Sequence, residues 1–229
     1  MAHDAKEIKT ALWLQPKPGS PLSTVLKRTI TGLAPVFEDA PIFEPHVTIS
    51  TGIYVQSQND VEIILDSMLV AAQSVDHFNT KFTSLTYGSQ YFRKVVFEVE
   101  PTAALFSMAR IAQEEFSLYP TLKKELIKSK HKKSHKYVPS PAEINELHVS
   151  ASEKAAAWIK EYKPHLSLVY SNMFPVTEAI RHTVNQRLID VFGPQYTTRG
   201  IGWTGGQLAL VNCEGPAEEW KVLGTRSIN

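Results

Sequence analysis

Two short motifs constrain the fold of this 229-residue chain more than any other feature. They are Pro45-His46-Val47-Thr48 and Pro164-His165-Leu166-Ser167, and each places a histidine two residues before a hydroxyl in an otherwise apolar run. Side chains at i and i+2 of an extended strand point to the same side of the sheet. Each motif therefore predicts a strand that presents an imidazole and a hydroxyl on one face and buries apolar side chains on the other.

The elements predicted after the two motifs follow the same order. After the first motif, apolar periodicity predicts a helix that ends near Ser74, and then a hairpin of residues 81–87 and 91–99 around Gly88-Ser89. After the second, it predicts a helix from Pro175 and two strands, residues 196–203 and 207–213, around Gly205-Gly206.

This repeat of pattern predicts an α+β protein with two pseudo-symmetric lobes, each an antiparallel sheet flanked by helices. We expect the two motif strands to face each other across a cleft between the lobes. At 43% hydrophobic residues the chain has enough apolar side chains for one bilobal domain that spans residues 1–229.

Charge is unevenly distributed along the chain. Residues 121–137 contain seven lysines against Glu125, so the remainder is net acidic although the whole chain has a formal charge of +1. An acidic body excludes a general basic-surface nucleic-acid binder. We expect the polar segment of about residues 120–150 to be a mobile excursion with a solvated lysine run, in preference to an RNA contact or a nuclear import signal.

Composition also limits the compartment and the cofactors. A single cysteine, Cys213, excludes an intramolecular disulfide and a multi-cysteine metal site, which is typical of a reducing compartment. His131 and His135 have the i, i+4 spacing of a helical zinc pair but no acidic partner or third ligand nearby, so we expect no metal. With no apolar run of membrane-spanning length and a polar start, we expect a monomeric cytoplasmic protein, with a nuclear location also open, that is neither secreted nor membrane-bound.

The two motifs together supply two imidazoles and two hydroxyls. A single histidine in an apolar strand is more often structural, but two copies at corresponding places in a repeated pattern favour one shared site. Histidine, with an unperturbed pKa near 6.5, acts as an acid or as a base near neutrality. These groups suit hydrolysis of a phosphoester, in which a base activates water on one side of phosphorus and an acid protonates the departing oxygen on the other.

Five sequence blocks extend this interpretation across nearly the whole chain. They are Ala11-Leu-Trp, Val36-Phe-Glu-Asp-Ala-Pro-Ile-Phe-Glu-Pro-His-Val-Thr, Gly88-Ser-Gln-Tyr-Phe-Arg-Lys-Val-Val, Pro164-His-Leu-Ser-Leu-Val-Tyr and Cys213-Glu-Gly-Pro-Ala-Glu-Glu-Trp. With them the chain resembles the two-histidine phosphoesterase superfamily, and within it the cyclic phosphodiesterases of fungi, with those of plants next.

The resemblance implies metal-independent hydrolysis of nucleoside 2′,3′-cyclic phosphates to nucleoside 2′-phosphates, with no cofactor. It also implies that ADP-ribose 1″,2″-cyclic phosphate, a by-product of tRNA splicing, is opened to ADP-ribose 1″-phosphate. Two alternatives remain open: an RNA-end or 2′-5′ RNA phosphodiesterase of the same superfamily, and a nucleotide-binding module without catalysis.

The resemblance assigns His46 and His165 to catalysis, and Thr48 and Ser167 to hydrogen bonding with the non-bridging phosphate oxygens. We take His165 as the base and His46 as the acid, although no residue decides between them. The family places a substrate-contacting tyrosine at Tyr170. Strict alternation would turn that side chain into the core, so the strand must end or bulge before it.

Three other aromatic residues are candidates for stacking on a nucleobase: Trp13, Tyr91 and Phe92. Core packing explains each of them equally well. Because Tyr91 and Phe92 are neighbours in a predicted strand, we expect at most one of the two to line the cleft.

Overall fold

Eight strands form the centre of the protein. The structure is a computed structural model that describes residues 7–75, 78–131 and 137–228. The strands are β1 (Ile8–Gln15), β2 (Val47–Val55), β3 (Asn79–Tyr87), β4 (Val95–Val99), β5 (His165–Val169), β6 (Gly202–Thr204), β7 (Gly206–Asn212) and β8 (Lys221–Ile228). All of the pairings between them are antiparallel.

Along the described chain, six α-helices occur in the segments that connect the strands. They are α1 (Pro21–Leu33), α2 (Gln58–Gln73), α3 (Ala103–Gln113), α4 (Tyr119–His131), α5 (Pro141–Glu161) and α6 (Glu178–Phe192), and a π-helical segment, Glu114–Leu118, joins α3 to α4. Hydroxyl side chains cap several N-termini; Ser20, for example, accepts a hydrogen bond from the Ser23 amide at the start of α1. The prediction of an α+β protein built on antiparallel strands is confirmed.

The strand order places both motif strands in the middle of the sheet. The order is β6-β3-β4-β5-β2-β1-β7-β8, so four strands lie on either side of the contact between β5 and β2. That contact is a single antiparallel residue pair, Val47 with Leu166. The motif strands are therefore neighbours at this point.

The strands that follow each motif in sequence do not stay together on the side of their own motif strand. Strands β3 and β4 follow the first motif in sequence, but β4 pairs with β5 of the second motif and β3 lies beyond β4; β7 follows the second motif but pairs with β1. Local periodicity contains no information about which distant strand a segment joins. Whether the two sets of four strands form pseudo-symmetric lobes stays a prediction.

The predicted hairpins have different outcomes. Strands β3 and β4 pair as predicted, although β4 begins only at Val95 because Tyr91–Arg93 form a turn of 3-10 helix. The hairpin around Gly205-Gly206 is wrong: β6 has three residues and pairs with β3, whereas β7 pairs with β1 and β8. Both glycines have positive φ angles, 65° and 114°, which lets the chain change direction between two distant strands.

The lysine-rich segment is helical over most of its length. Helix α4 extends to His131 and α5 begins at Pro141, so the described part of residues 120–150 is mostly helical. Whether this segment is a mobile excursion stays a prediction. Lysine and glutamate are good helix formers, and Ser140 with Glu143 forms a capping box at the start of α5. His135, one member of the rejected zinc pair, lies outside the described residues. No helix in the described ranges is both long enough and apolar enough to cross a membrane.

Candidate active site

The pairing of β2 with β5 brings the four motif side chains onto one face of the sheet. Val47 and Leu166 are paired, so continuing the same register places His46 opposite Ser167 and Thr48 opposite His165. Directly opposite residues of an antiparallel pair share a face and have closely spaced Cβ atoms. Each imidazole thus lies next to a hydroxyl from its own motif and across from a hydroxyl of the other.

His46 is buried, with only 4% of its surface exposed. Its Nδ1 lies 2.6 Å from the carbonyl oxygen of Glu44, and its Nε2 lies 3.2 Å from the hydroxyl of Tyr170. A carbonyl oxygen can only accept, so Nδ1 carries the proton and Nε2 of the neutral ring accepts from Tyr170. The pKa of His46 is lowered to about 4, mainly by burial and to a smaller extent by the nearby His165, against the opposing effect of the hydrogen bond to the Glu44 carbonyl.

His165 is more accessible and lies among charged groups. Its Nδ1 is 2.9 Å from the carbonyl oxygen of Lys163, which fixes the same tautomer as in His46. Partial burial lowers the pKa of His165; the Arg93 guanidinium lowers it further, whereas the Glu98 carboxylate raises it. Glu98 lies opposite His165 in the β4–β5 register and forms a 2.9 Å ion pair with Arg93.

The two motif hydroxyls have different surroundings. Ser167 is buried and donates a 2.7 Å hydrogen bond to the backbone carbonyl of Phe92. Thr48 is partly exposed, and no hydrogen bond between described residues uses its side chain; its backbone carbonyl accepts from the hydroxyl of Tyr162 at 2.8 Å. Thr48 can therefore donate to a ligand directly, whereas Ser167 must first leave the Phe92 carbonyl.

Tyr170 lies on the same side as His46 because β5 is irregular at its end. In the β4–β5 register Val96 faces Ser167 but Val95 faces Val169, so Leu168 is an extra residue, and the strand stops at Val169. A bulge of this kind redirects the side chains that follow it. The predicted end or bulge before Tyr170 is confirmed. Burial raises the pKa of Tyr170, so its hydroxyl stays protonated and donates to His46.

The other aromatic candidates surround these groups in ways that the sequence did not predict. Trp13 is 3% exposed and its ring stacks on His46, so that face does not meet solvent. The rings of Tyr91 and Phe92 both lie near Tyr170, at 5.8 and 5.1 Å between centroids, so the expectation that they point to opposite sides of a strand is wrong. They belong to a 3-10 turn, in which neighbouring side chains do not alternate.

Four further residues contribute to the site and were not singled out from the sequence. Phe43 stacks on Tyr170 with centroids 3.8 Å apart, and Trp220 lies 6.1 Å from the same ring. Asp39 and Lys94 bind the backbone or side chains that follow Tyr170. All four lie in the sequence blocks that carry the family resemblance, and this position was the one signal that could have identified them. The periodicity of the sequence does not distinguish them from other residues.

The described residues contain no group of three or more His, Cys, Asp or Glu side chains arranged to hold a metal ion. The four motif side chains on the site face are imidazoles and hydroxyls. Their arrangement can move protons and donate hydrogen bonds to an anion.

Comparison with known proteins gives one consistent result. The family described as "cyclic phosphodiesterase-like protein" matches residues 8–228. Proteins called 2′,3′-cyclic-nucleotide 3′-phosphodiesterase from Yarrowia lipolytica and Candida albicans are 42% and 33% identical to this chain, covering 95% and 96% of it and 98% and 99% of their own lengths. One of the same name from Saccharomyces cerevisiae is 28% identical over 93% of this chain and 97% of its own length.

Proposed function

The chain belongs to the family of cyclic phosphodiesterase-like proteins, and we propose that it hydrolyses nucleoside 2′,3′-cyclic phosphates to nucleoside 2′-phosphates without a metal ion. The single observation that supports this most is the β2–β5 register, which implies two imidazoles and two hydroxyls on one face of the sheet. An in-line displacement at phosphorus needs a base and an acid on opposite sides of the phosphate and donors at its non-bridging oxygens.

In this proposal His46 is the base. Its low pKa, about 4, keeps the ring neutral at pH 7, and the Glu44 carbonyl holds the proton on Nδ1, so the lone pair of Nε2 faces the site. Substrate takes the place of the Tyr170 hydroxyl at Nε2, and a water molecule then loses its proton to that nitrogen. This assignment reverses the one preferred from the sequence, which no residue decided.

His165 is then the acid that protonates the leaving 3′ oxygen. Burial lowers the pKa of His165, but this imidazole is more exposed than His46, and the Glu98 carboxylate opposite it counteracts the lowering. The charge of a bound phosphate adds to that effect. Nδ1 remains on the Lys163 carbonyl, so the proton that is transferred comes from Nε2.

Three hydroxyls serve as donors to the phosphate. Thr48 donates without rearrangement, Ser167 after leaving the Phe92 carbonyl, and Tyr170 after leaving His46. Positioned donors of this kind are each worth a few kcal/mol when charge develops on the oxygens in the transition state.

We also propose the finer properties that the resemblance implies. The natural substrate is ADP-ribose 1″,2″-cyclic phosphate, which is opened to ADP-ribose 1″-phosphate, and the protein acts on this small molecule as an intracellular monomer. The net acidic body of the chain supports a small substrate over an RNA strand. The placing of four strands on each side of the β2–β5 contact supports a two-lobed arrangement around the site.

One assay tests the reaction. The purified protein is incubated with 2′,3′-cyclic AMP in excess EDTA, and the product is identified by chromatography. We expect adenosine 2′-phosphate alone, and loss of turnover in His46→Ala and His165→Ala. Full activity in either variant would overturn the two-histidine mechanism, and loss of activity in EDTA would indicate a metal.

The same assay distinguishes the other interpretations. Cleavage of a short 2′-5′ oligonucleotide with no effect on the cyclic nucleotide would indicate an RNA phosphodiesterase. Binding of both ligands without turnover would indicate a nucleotide-binding module. A higher kcat/KM for ADP-ribose 1″,2″-cyclic phosphate than for 2′,3′-cyclic AMP would support the proposed natural substrate.

A further inference from the structure

Lys94 is a charged residue in an unexpected place. It lies between the 3-10 turn and β4 with none of its surface exposed, and none of the ion pairs between described residues includes it. Burying an ammonium group without a carboxylate is costly, and an apolar side chain of similar size would avoid that cost. The desolvation cost of this ammonium group indicates that Lys94 has a role beyond packing.

The ammonium group of Lys94 joins two segments of the active site. It donates hydrogen bonds to the carbonyl of Met173 at 2.6 Å and to the carbonyl of Ser89 at 3.3 Å. Met173 lies three residues after Tyr170, and Ser89 lies just before the turn that contains Tyr91 and Phe92. Lys94 thus connects the segment after Tyr170 with the turn beside it.

Asp39 binds the same segment from another element of the fold. Its carboxylate accepts hydrogen bonds from the Ser171 hydroxyl, from the Asn172 backbone amide at 2.8 Å and from the Asn172 side-chain amide at 2.9 Å. Asp39 belongs to the loop that leads into the first motif. The amide of Ser171 in turn donates to the carbonyl of Tyr91 at 3.2 Å.

The segment held in this way begins directly after Tyr170, whose hydroxyl contacts Nε2 of His46. A side chain keeps its direction only if the backbone beside it is fixed, and the bulge at the end of β5 leaves this part of the chain without regular strand pairing. We propose that Lys94 and Asp39 are positioning residues that hold residues 171–173 so that the Tyr170 hydroxyl is placed at His46. The part of the test that uses catalysis rests on the proposed function.

The test uses Lys94→Met, which keeps the length of the side chain but removes its donors, and Asp39→Asn, which is nearly isosteric. Each is combined with Tyr170→Phe in a double-mutant cycle. Glu38→Gln is the matched control, because Glu38 is an exposed carboxylate next to Asp39. We expect each single variant to lose about tenfold in kcat/KM for 2′,3′-cyclic AMP, the value of one ordinary hydrogen bond, and the control to keep wild-type activity.

If the two residues act through Tyr170, each loses its effect once the hydroxyl is gone. In the Tyr170→Phe background, Lys94→Met and Asp39→Asn should then change kcat/KM by less than about twofold. In a Thr48→Val background, both should keep their full effect. Equal losses with and without the Tyr170 hydroxyl, or no loss in either single variant, would overturn the proposal.

A spectroscopic measurement makes the test independent of catalysis. In protein with ¹⁵N-labelled histidine, the chemical shift of His46 Nε2 reports the hydrogen bond from Tyr170. We expect it to move in the same direction in Lys94→Met, in Asp39→Asn and in Tyr170→Phe, and to stay unchanged in Glu38→Gln. An unchanged Nε2 shift in folded Asp39→Asn overturns the proposal whether or not the protein hydrolyses cyclic nucleotides, and Asp39 is exposed enough for that variant to fold.

Discussion

The indole of Trp13 lies flat on the imidazole of His46, with ring centroids 3.6 Å apart and planes inclined by 7°. Both residues are buried, and Trp13 faces Thr48 in the β1–β2 register, so the stack is part of the site face of the sheet. By covering one face of the imidazole, the indole keeps water from the ring. The stack therefore contributes to the burial that lowers the pKa of His46.

Replacing Trp13 by leucine should raise the pKa of His46 from about 4 toward the ordinary value near 6.5. If neutral His46 is the base, the acid limb of the pH–rate profile then moves to higher pH. Titration of the His46 Cε1 proton by NMR measures the pKa directly. Trp220→Leu is the control, since Trp220 contacts Trp13 at a tilt of 55° and forms no ring contact with His46; an equal change in both variants would contradict the role of the stack.

The low pKa of His46 also predicts how stability depends on pH. The unfolded state takes up a proton near pH 6.5 and the folded state only near pH 4, so the unfolded state binds more protons between these values. The free energy of unfolding is therefore at its full value, as far as His46 is concerned, above about pH 6.5. It decreases as the pH falls from there to about 4. At 1.36 kcal/mol for each pKa unit, the free energy of unfolding should fall by about 3 kcal/mol between pH 7 and pH 4.

Urea unfolding of the wild type and His46→Gln at both pH values measures that difference. Other groups titrate in the same range, so the quantity of interest is the wild-type decrease minus that of the variant. His182→Gln serves as the control, because it removes an exposed histidine and leaves both His46 and His165 in place. A wild-type decrease equal to that of His46→Gln would show that His46 is not buried in its neutral form.

The local sequence pattern was sufficient to predict which side chains of the two motif strands share a face of the sheet. His46 with Thr48, and His165 with Ser167, were assigned to common faces because a period of two residues depends only on the extended backbone. The pairing of β2 with β5, of β4 with β5 and of β7 with β1 depends on contacts between distant segments. Such contacts leave no trace in the periodicity of a single sequence.

The remaining errors have specific physical causes. Alternation failed at Tyr91 and Phe92 because these residues form a 3-10 turn, and it would have failed at Tyr170 because of the extra residue Leu168. Lys94 was not predicted to be internal, since lysines are almost never fully buried unless their charge is compensated. Two of its three donors bind the carbonyls of Ser89 and Met173, which no residue type in the sequence indicates.

The two members of the Arg93–Glu98 ion pair beside His165 shift its pKa in opposite directions. Arg93 lowers the pKa of His165 and Glu98 raises it, whereas burial, the larger cause, is unaffected by either. Arg93→Gln should therefore raise the pKa of His165, and Glu98→Gln should lower it. If His165 is the acid, the alkaline limb of the pH–rate profile moves up in the first variant and down in the second.

NMR titration of His165 in both variants separates its pKa from the kinetics. The double variant Arg93→Gln/Glu98→Gln is the control, in which the two charge effects offset each other. Shifts of the same sign in the two single variants would show that altered burial, and not charge, controls His165.

The hydroxyls of Thr48 and Ser167 differ in their hydrogen bonds, so replacing them should affect stability differently and catalysis equally. Thr48→Val removes a hydroxyl that makes no hydrogen bond to described residues, so the free energy of unfolding should change by less than about 0.5 kcal/mol. Ser167→Ala removes the donor to the Phe92 carbonyl and should lower the free energy of unfolding by about 1 kcal/mol. If both hydroxyls donate to the phosphate, kcat for 2′,3′-cyclic AMP falls about 100-fold in each variant. Urea unfolding measures the change in stability, and steady-state kinetics measures the change in kcat. Thr51→Val is the control, because Thr51 is exposed and lies on the same strand. A wild-type kcat in Thr48→Val would show that Thr48 does not contact the transition state.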